Sequence, residues 1–176
     1  MLLKPTSLSE ADQVHRVSVR NLVEFILQEG DLAPGSFQKR GRAQAGTQGH
    51  KKVQRSRPEE YQSEVEVAFQ IVGEEPPIEI RGRIDGLYAT QNPAIIEEIK
   101  TTTLALDLLN ENHNPLHWAQ AKCYAYIFAK QENLSEVRIH LTYYQLDSKT
   151  EKTFEKDFTL SELEVFSNAL ITPYLI

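Results

Sequence analysis

SEVEVAFQIVGEEPPIEIRGRIDGLYATQNPAIIEEIK, residues 63–100, contains three runs rich in apolar and β-branched residues, separated by sequences typical of turns. The first run alternates apolar and polar residues, which predicts a half-buried strand. The turn sequences GEEPP and TQNP bound the second and third runs, which we also interpret as strands. Because short turns join strands that are neighbours in a sheet, the segment predicts an antiparallel three-stranded meander.

The segments that flank this meander predict helices. Two helical patterns precede it, at residues 18–30 and 42–54. A long helix follows it, where Asn114 and Pro115 suit an N-cap and a first turn. The sequence of this helix is apolar or aromatic around much of its circumference, which predicts burial on more than one side.

A second hairpin and a last helix complete the predicted order. The hairpin covers residues 137–158, and the helix opens with the capping-box sequence Thr159-Leu160-Ser161-Glu162. The order ααβββαββα predicts an α/β (α+β) fold with a mixed β-sheet core flanked by helices. We expect residues 1–176 to form a single domain.

Composition narrows the class of protein. The chain of 176 residues is 25% charged and carries a net charge of −6, which is typical of an ordinary globular domain. Its one cysteine, Cys123, excludes an internal disulfide and any four-cysteine zinc or iron–sulfur site built by this chain alone. The first residues are too few and too polar for a signal peptide, and no apolar run approaches a membrane span. We therefore expect a cytoplasmic protein without membrane contact.

Positive charge is concentrated between Asp31 and Glu59, where no acidic residue occurs. We define the basic segment by its seven cationic residues, which are Lys39, Arg40, Arg42, Lys51, Lys52, Arg55 and Arg57. The net negative charge argues against phosphate binding by the whole surface, but a local cationic segment indicates contact with a polyanion such as DNA. The alternative interpretation is an ordinary solvated loop and helix face.

The acidic residues inside the predicted meander need a separate explanation, because strands disfavour aspartate. Along the third run, alternation places Glu98 and Lys100 on the same face. If Asp85 ends the neighbouring antiparallel strand, its carboxylate approaches that of Glu98, which is unfavourable without a cation between them. The pattern therefore indicates a site for Mg²⁺ or Mn²⁺, with Lys100 placed to orient a metal-bound water and help deprotonate it.

The spacing of Asp85 and Glu98-Ile99-Lys100 resembles the D…(D/E)-x-K signature of the PD-(D/E)XK nuclease superfamily. Two further motifs are similar to those of its RecB-like branch: the helix sequence Gly46-Thr47-Gln48-Gly49-His50 and the Q-x-x-x-Y pair Gln120 and Tyr124. The resemblance covers about residues 15–146 and extends to CRISPR-adaptation exonucleases and to nuclease domains fused to DNA helicases. The chain departs from the pattern at Ile84, where the superfamily name has proline, and in lacking the iron–sulfur cysteines of several relatives.

The resemblance implies a restriction-endonuclease-like core and metal-dependent hydrolysis of DNA without marked sequence specificity. It implies a metal site made by His50, Asp85, Glu98 and the backbone carbonyl of Ile99, and a catalytic set made by Asp85, Glu98, Lys100, Gln120 and Tyr124. The expected cofactor is Mg²⁺ or Mn²⁺, with no iron–sulfur cluster. The expected partners are DNA, single-stranded or with a free end, and a helicase domain in cis or in trans.

Alternative interpretations stay open for these residues and for the activity. His50 taken alone suits a helix surface or a core, and Gln120 and Tyr124 suit packing within a buried helix. The rival function is a non-catalytic nucleic-acid-binding or docking module of a helicase, which the retention of Asp85, Glu98 and Lys100 disfavours. An exonuclease in DNA repair, recombination or processing is our expectation, and endonuclease action and either polarity remain alternatives. A restriction-type endonuclease is disfavoured because no extra recognition element is visible.

Overall fold

The computed structural model describes residues 14–28, 40–71, 73–74 and 76–175 of the chain. A short 3-10 turn, Leu106–Leu108, lies in the connection that precedes the third helix. The strands and helices, in chain order, are β1 (His15–Ser18), α1 (Val19–Gln28), α2 (Arg40–Arg55), β2 (Gln62–Ile71), β3 (Ile78–Tyr88), β4 (Ala94–Thr102), α3 (Pro115–Glu132), β5 (Glu136–Gln145), β6 (Thr150–Thr159) and α4 (Leu160–Tyr174).

The strands form one six-stranded mixed sheet. On one side, β3 pairs antiparallel with β2. On its other side, β3 pairs parallel with β1 and then antiparallel with β4. β4 pairs parallel with β5, and β5 pairs antiparallel with β6, so that β1, β2 and β6 each have one paired neighbour within the described chain. The predicted meander, the predicted hairpin and the mixed α/β architecture are confirmed.

The predicted order ααβββαββα is incomplete because it omits strand β1. His15–Ser18 is a four-residue strand whose parallel partner begins at Ile78, so neither its length nor its local sequence produces a recognisable alternation. Ser18 ends this strand and begins α1, where its hydroxyl accepts a hydrogen bond from the Asn21 N–H at 3.0 Å. Ser18 is therefore the N-cap residue of α1, and Gly30, at the end of the predicted range 18–30, lies outside the described residues.

Helices cover both faces of the sheet. α1, α3 and α4 pack on one face, around a core that includes Ile84, Ile96 and Ile139. α2 lies on the other face, where Val53 packs against Ile99 and Tyr144. None of the helices in the described ranges is both long and apolar enough to cross a membrane.

The two predicted helix caps that follow the meander are present. The Asn114 side chain accepts a hydrogen bond from the Leu116 N–H at 3.0 Å and so begins α3. Thr159 and Glu162 exchange both bonds of a capping box at the start of α4. The Asn114 cap fixes the start of α3, the helix that carries Gln120 and Tyr124 towards the sheet.

Candidate active site

The pairing of β3 leaves a notch in the sheet. On the side of β3 that faces β1 and β4, pairs cover Ile78–Arg81 and Gly86–Tyr88, and Gly82–Asp85 pair with neither described strand. The Asp85 side chain bridges this opening, because its Oδ2 accepts a hydrogen bond from the Ile99 N–H at 2.7 Å. The notch therefore joins Asp85 directly to the second half of β4.

The alternation of β3 shifts by one residue at this notch. Ile84 and Leu87 both pack in the core on the α3 face, although a regular strand would place residues three apart on opposite faces. Two glycines mark the same change. A Cβ added at Gly82 would clash with the ring of Tyr124 in α3, whereas one added at Gly86 would clash with the Tyr61 hydroxyl, which contacts Glu97 on the opposite face. The shift occurs next to Asp85, whose side chain bridges the notch.

Glu98 and Lys100 form the centre of the notch, on the face predicted from alternation. The Glu98 side chain is only 6% exposed, and its Oε1 lies 2.7 Å from the Lys100 Nζ. Lys100 also donates a hydrogen bond of 2.6 Å to the Oε1 of Gln120. Burial raises the pKa of Glu98 to about 7; Lys100 opposes this shift and the Asp85 carboxylate adds to it. Glu98 is therefore a buried carboxyl group whose negative charge one lysine compensates only in part.

His50 reaches the same notch from the opposite face of the sheet. Its Nδ1 lies 3.6 Å from the Oδ1 of Asp85. Burial opposes protonation of the ring, but the carboxylates of Asp85 and Glu98 outweigh burial, so the pKa of His50 is raised. The helix lies close to β4 at this point, because a Cβ added at Gly49 would be 2.6 Å from a methyl group of Thr101.

Gln120 and Tyr124 project from α3, one helical turn apart. Burial, followed by the negative charges of Glu98 and Asp85, raises the pKa of Tyr124 far above its usual range, and the Tyr124 ring packs over Gly82 at the notch. The structure thus brings together all six side chains that the motifs single out, which are His50, Asp85, Glu98, Lys100, Gln120 and Tyr124. Their catalytic roles remain predictions.

His117 is a neighbour of the site that belongs to none of the sequence motifs. Its Nδ1 lies 2.8 Å from the Tyr143 hydroxyl, and burial, followed by the positive charge of Lys100, lowers the pKa of His117 to about 3. The imidazole is therefore neutral near pH 7. The available signal was its position three residues before Gln120, on the same face of a helix.

The residues of the notch fit a divalent cation in donor type and in charge. In their present conformations, no three His, Cys, Asp or Glu side chains of the described chain lie close enough together to hold a metal ion. His50, Asp85 and Glu98 nevertheless supply one imidazole and two carboxylates to one notch, a donor set suited to Mn²⁺ or Mg²⁺. The raised pKa of Glu98 indicates a shortage of positive charge that a divalent cation would relieve.

The basic segment is only partly exposed to solvent. Lys39 lies outside the described residues, as do the side chains of Arg40 and Arg42. Three cations of α2 are exposed, and they are Lys51, Lys52 and Arg55.

Arg57 differs from Lys51, Lys52 and Arg55. Its guanidinium donates to Glu97 at 2.7 and 3.1 Å and to Glu151 at 2.7 Å, and its side chain is 15% exposed. Arg57 therefore neutralises a buried carboxylate of the fold, instead of presenting the free charge that the basic segment predicted.

Comparison with known proteins identifies the family. A model of the PD-(D/E)XK nuclease superfamily matches residues 5–172, which is nearly the whole chain. The chain belongs to the PD-(D/E)XK nuclease superfamily. Enzymes of this superfamily are nucleases that typically use divalent metals, and the mixed sheet flanked by helices agrees with their restriction-endonuclease-like fold.

One similar solved structure is described as the crystal structure of SSO0001. It aligns with a TM-score of 0.51 over 92% of this chain and 78% of that chain, at 17% sequence identity. At this identity the similarity is evidence for the fold alone. A comparison with curated proteins found no matching sequence.

Proposed function

We propose that this protein is a divalent-metal-dependent deoxyribonuclease of the RecB-like branch, which hydrolyses phosphodiester bonds without marked sequence specificity. The observation that carries the proposal is the convergence of six motif residues, from α2, β3, β4 and α3, on one notch that contains an incompletely neutralised buried carboxyl group. Buried ionisable groups with perturbed pKa values are concentrated at functional sites. We further propose exonuclease action in DNA repair, recombination or processing, in the cytoplasm.

In this proposal, His50, Asp85, Glu98 and the carbonyl of Ile99 hold one or two Mg²⁺ or Mn²⁺ ions. A bound ion would supply a water of lowered pKa and screen the charge of the scissile phosphate. Asp85 is prepared for this role, since its Oδ2 is fixed by the Ile99 N–H and its Oδ1 faces His50. Contacts within the chain therefore orient the Asp85 carboxylate without a metal ion.

Lys100 is the residue that we assign to the attacking water. Its ammonium group is held by Glu98 at 2.7 Å and by Gln120 at 2.6 Å, so it has a defined position beside the carboxylates. From there it orients the nucleophile and stabilises the negative charge that develops on the phosphate. Gln120 acts by directing Lys100, and Tyr124 is proposed to contact the DNA backbone.

The exposed cations Lys51, Lys52 and Arg55 are proposed to follow the phosphate backbone of DNA. They lie on α2, the helix that also carries His50, so a backbone bound along this helix is directed towards the notch. The proposed partner is DNA that is single-stranded or has a free end. A helicase domain, in cis or in trans, would supply such a substrate, and residues 1–176 would then be its nuclease domain.

One observation favours the rival function, a non-catalytic nucleic-acid-binding or docking module of a helicase. Within the described residues, the three proposed ligands do not form a compact metal cluster, and Lys100 contacts the carboxylate of Glu98. A module that binds DNA without cutting it would tolerate this arrangement permanently. The two functions differ in whether a divalent cation displaces Lys100 from the carboxylate of Glu98.

Digestion of labelled DNA distinguishes these functions. The purified protein is incubated with Mg²⁺ or Mn²⁺ and with end-labelled single strands, linear duplexes and closed circles, alongside Asp85→Asn as the matched inactive control. We expect linear DNA to be degraded from an end and closed circles to survive. Cleavage of circles would replace exonuclease with endonuclease action, and DNA binding without cleavage under either metal would favour the binding module.

A further inference from the structure

The ladder between β2 and β3 is interrupted opposite the notch. Ser63 pairs with Gly86 and Val65 pairs with Ile84, but Glu64 and Asp85 between them are not paired within these two described strands. Glu64 has a φ of 58°, the left-handed region that a residue with a side chain rarely adopts. Regular pairing between β2 and β3 is therefore lost at the position of Asp85.

Gln54 of α2 occupies this interruption. Its Nε2 donates to the backbone carbonyl of Asp85 at 2.9 Å and to the Oε1 of Glu64 at 2.8 Å. A side-chain amide has two N–H donors, so both are used and both partners are acceptors. The Gln54 amide thus supplies a hydrogen bond to the Asp85 carbonyl where the strand ladder is broken.

Gln54 and His50 are four residues apart and lie on the same face of α2. His50 faces the Oδ1 of Asp85, Ile99 donates to its Oδ2, and Gln54 holds its carbonyl. Asp85 is consequently held at its main chain and at both oxygens of its side chain. One helix supplies two of these three contacts.

We propose that Gln54 is a positioning residue for Asp85, which holds the main chain at the broken ladder so that the Asp85 carboxylate faces His50 in the geometry needed for a divalent cation. The inference rests on the proposed function, since it concerns the same notch. Partners of metal-binding side chains commonly change metal affinity by about 10- to 100-fold when they are removed. A residue that only stabilised the β2–β3 junction would lower the melting temperature without this effect.

The test compares two glutamines that make the same kind of bond. Gln131 donates its amide to the Ala68 carbonyl of β2 at 2.9 Å, so Gln131→Met removes one amide-to-carbonyl bond like that between Gln54 and Asp85, whereas Gln54→Met also removes the bond to Glu64. Binding of Mn²⁺ is measured from the electron paramagnetic resonance signal of the free ion, with the melting temperature and the kcat and KM of DNA cleavage recorded in parallel.

We expect Gln54→Met to weaken Mn²⁺ binding by about tenfold or more and to lower kcat, with the KM for DNA near the parental value. Gln131→Met should retain parental Mn²⁺ affinity, even if its melting temperature falls. Mn²⁺ affinity of Gln54→Met within twofold of the parent would overturn the inference, and so would an equal loss in both variants.

A second variant keeps the test decisive if Gln54→Met does not fold. Glu64→Ala removes the exposed second acceptor of the amide, and we expect about threefold weaker Mn²⁺ binding because the amide is then less constrained. Unchanged Mn²⁺ binding by this folded variant would overturn the inference. A parent that binds no Mn²⁺ overturns both proposals, whereas a parent that binds Mn²⁺ but cuts no DNA overturns only the proposed function, because Mn²⁺ binding still decides the role of Gln54.

Discussion

Glu97 and Glu98 are adjacent in β4, and both are buried, but they face opposite sides of the sheet. The Oε1 of Glu97 accepts hydrogen bonds from Arg57 at 3.1 Å and Tyr61 at 2.8 Å. Its Oε2 accepts bonds from Arg57 at 2.7 Å and Thr142 at 2.8 Å. Glu98 has Lys100 as its cationic contact, and its pKa is raised.

The difference separates a carboxylate that the fold neutralises from one that we propose binds a metal ion. Burying a charge is tolerated when its partners replace the lost hydration, and the four donors around Glu97 do so. Glu98 is buried without an equivalent set, which costs stability and leaves the group available to a cation. Burial alone therefore does not distinguish the two residues. The number of hydrogen-bond donors and cations around each carboxylate does.

The largest expected effect tests the network around Glu97. Arg57→Met should lower the free energy of unfolding by about 3 kcal/mol, because it leaves a buried carboxylate without its cation. Denaturant unfolding measures the loss. Lys52→Met, at an exposed position of α2, is the control and should change stability by less than about 0.5 kcal/mol. Equal effects in both variants would mean that the bidentate pair contributes nothing special.

The next effect concerns the functional face. Lys100→Ala should lower the rate of DNA cleavage by about 100-fold, equivalent to about 2.7 kcal/mol, because the charge beside the attacking water is lost. Binding of Mn²⁺ should be retained or strengthened, since a competing ammonium group leaves Glu98. Lys130→Ala, at an exposed position of α3, is the control for general effects of lysine removal. Cleavage by Lys100→Ala within a few-fold of the parental rate would contradict the role assigned to Lys100.

A smaller effect should show Glu98 opposing stability. Because its pKa rises from 4.5 to about 7 on folding, the folded protein binds an extra proton between these pH values, and stability falls as pH rises through this window. Without divalent metal, Glu98→Gln should match the parent in stability near pH 4 and exceed it at pH 8 by roughly 1 to 3 kcal/mol, where the upper figure is the full equivalent of the pKa rise.

Thermal unfolding in the presence of a chelator measures this difference. Added Mn²⁺ should reverse the order at pH 8, because the parent gains binding energy that Glu98→Gln lacks. If Glu98→Gln is less stable than the parent at pH 8 without metal, the prediction is wrong. Glu98 would then be a residue that stabilises the fold, like Glu97.

The smallest expected effect concerns the exposed cations, which contrast with the neutralised Arg57. The triple substitution Lys51→Ala, Lys52→Ala and Arg55→Ala should reduce the slope of log affinity for DNA against log salt by about one unit for each of these cations that binds a phosphate. All DNA sequences should be affected alike. The control triple is Lys130→Ala, Lys149→Ala and Lys156→Ala, at exposed positions elsewhere. An unchanged slope in the first triple would remove the basic segment from DNA binding.

Local patterns were sufficient to predict most of the fold. Alternation identified the meander and the faces of Glu98 and Lys100, and caps identified the starts of α3 and α4. These signals are carried by residues close in sequence, so one chain suffices to recognise them. The motif residues of the notch were likewise found by spacing and by resemblance.

Features that depend on distant partners were not predictable from the sequence. Strand β1 depends on pairing with β3, and the role of Arg57 depends on Glu97, forty positions away. Gln54 shows no local signal of its contact with Asp85. In each case the deciding contact joins residues far apart in the chain, which composition and periodicity do not report.

The edge strand β2 has a consequence for self-association. A regular, uncharged edge offers unpaired backbone groups on which a second molecule can add a strand, the usual route to aggregation. In β2, the left-handed Glu64 breaks the regular edge, exposed Glu66 adds charge, and the Gln131 amide occupies the carbonyl of Ala68. The irregularity that accompanies Asp85 therefore also makes this edge a poor template for another copy of the chain, and so favours solubility at high concentration.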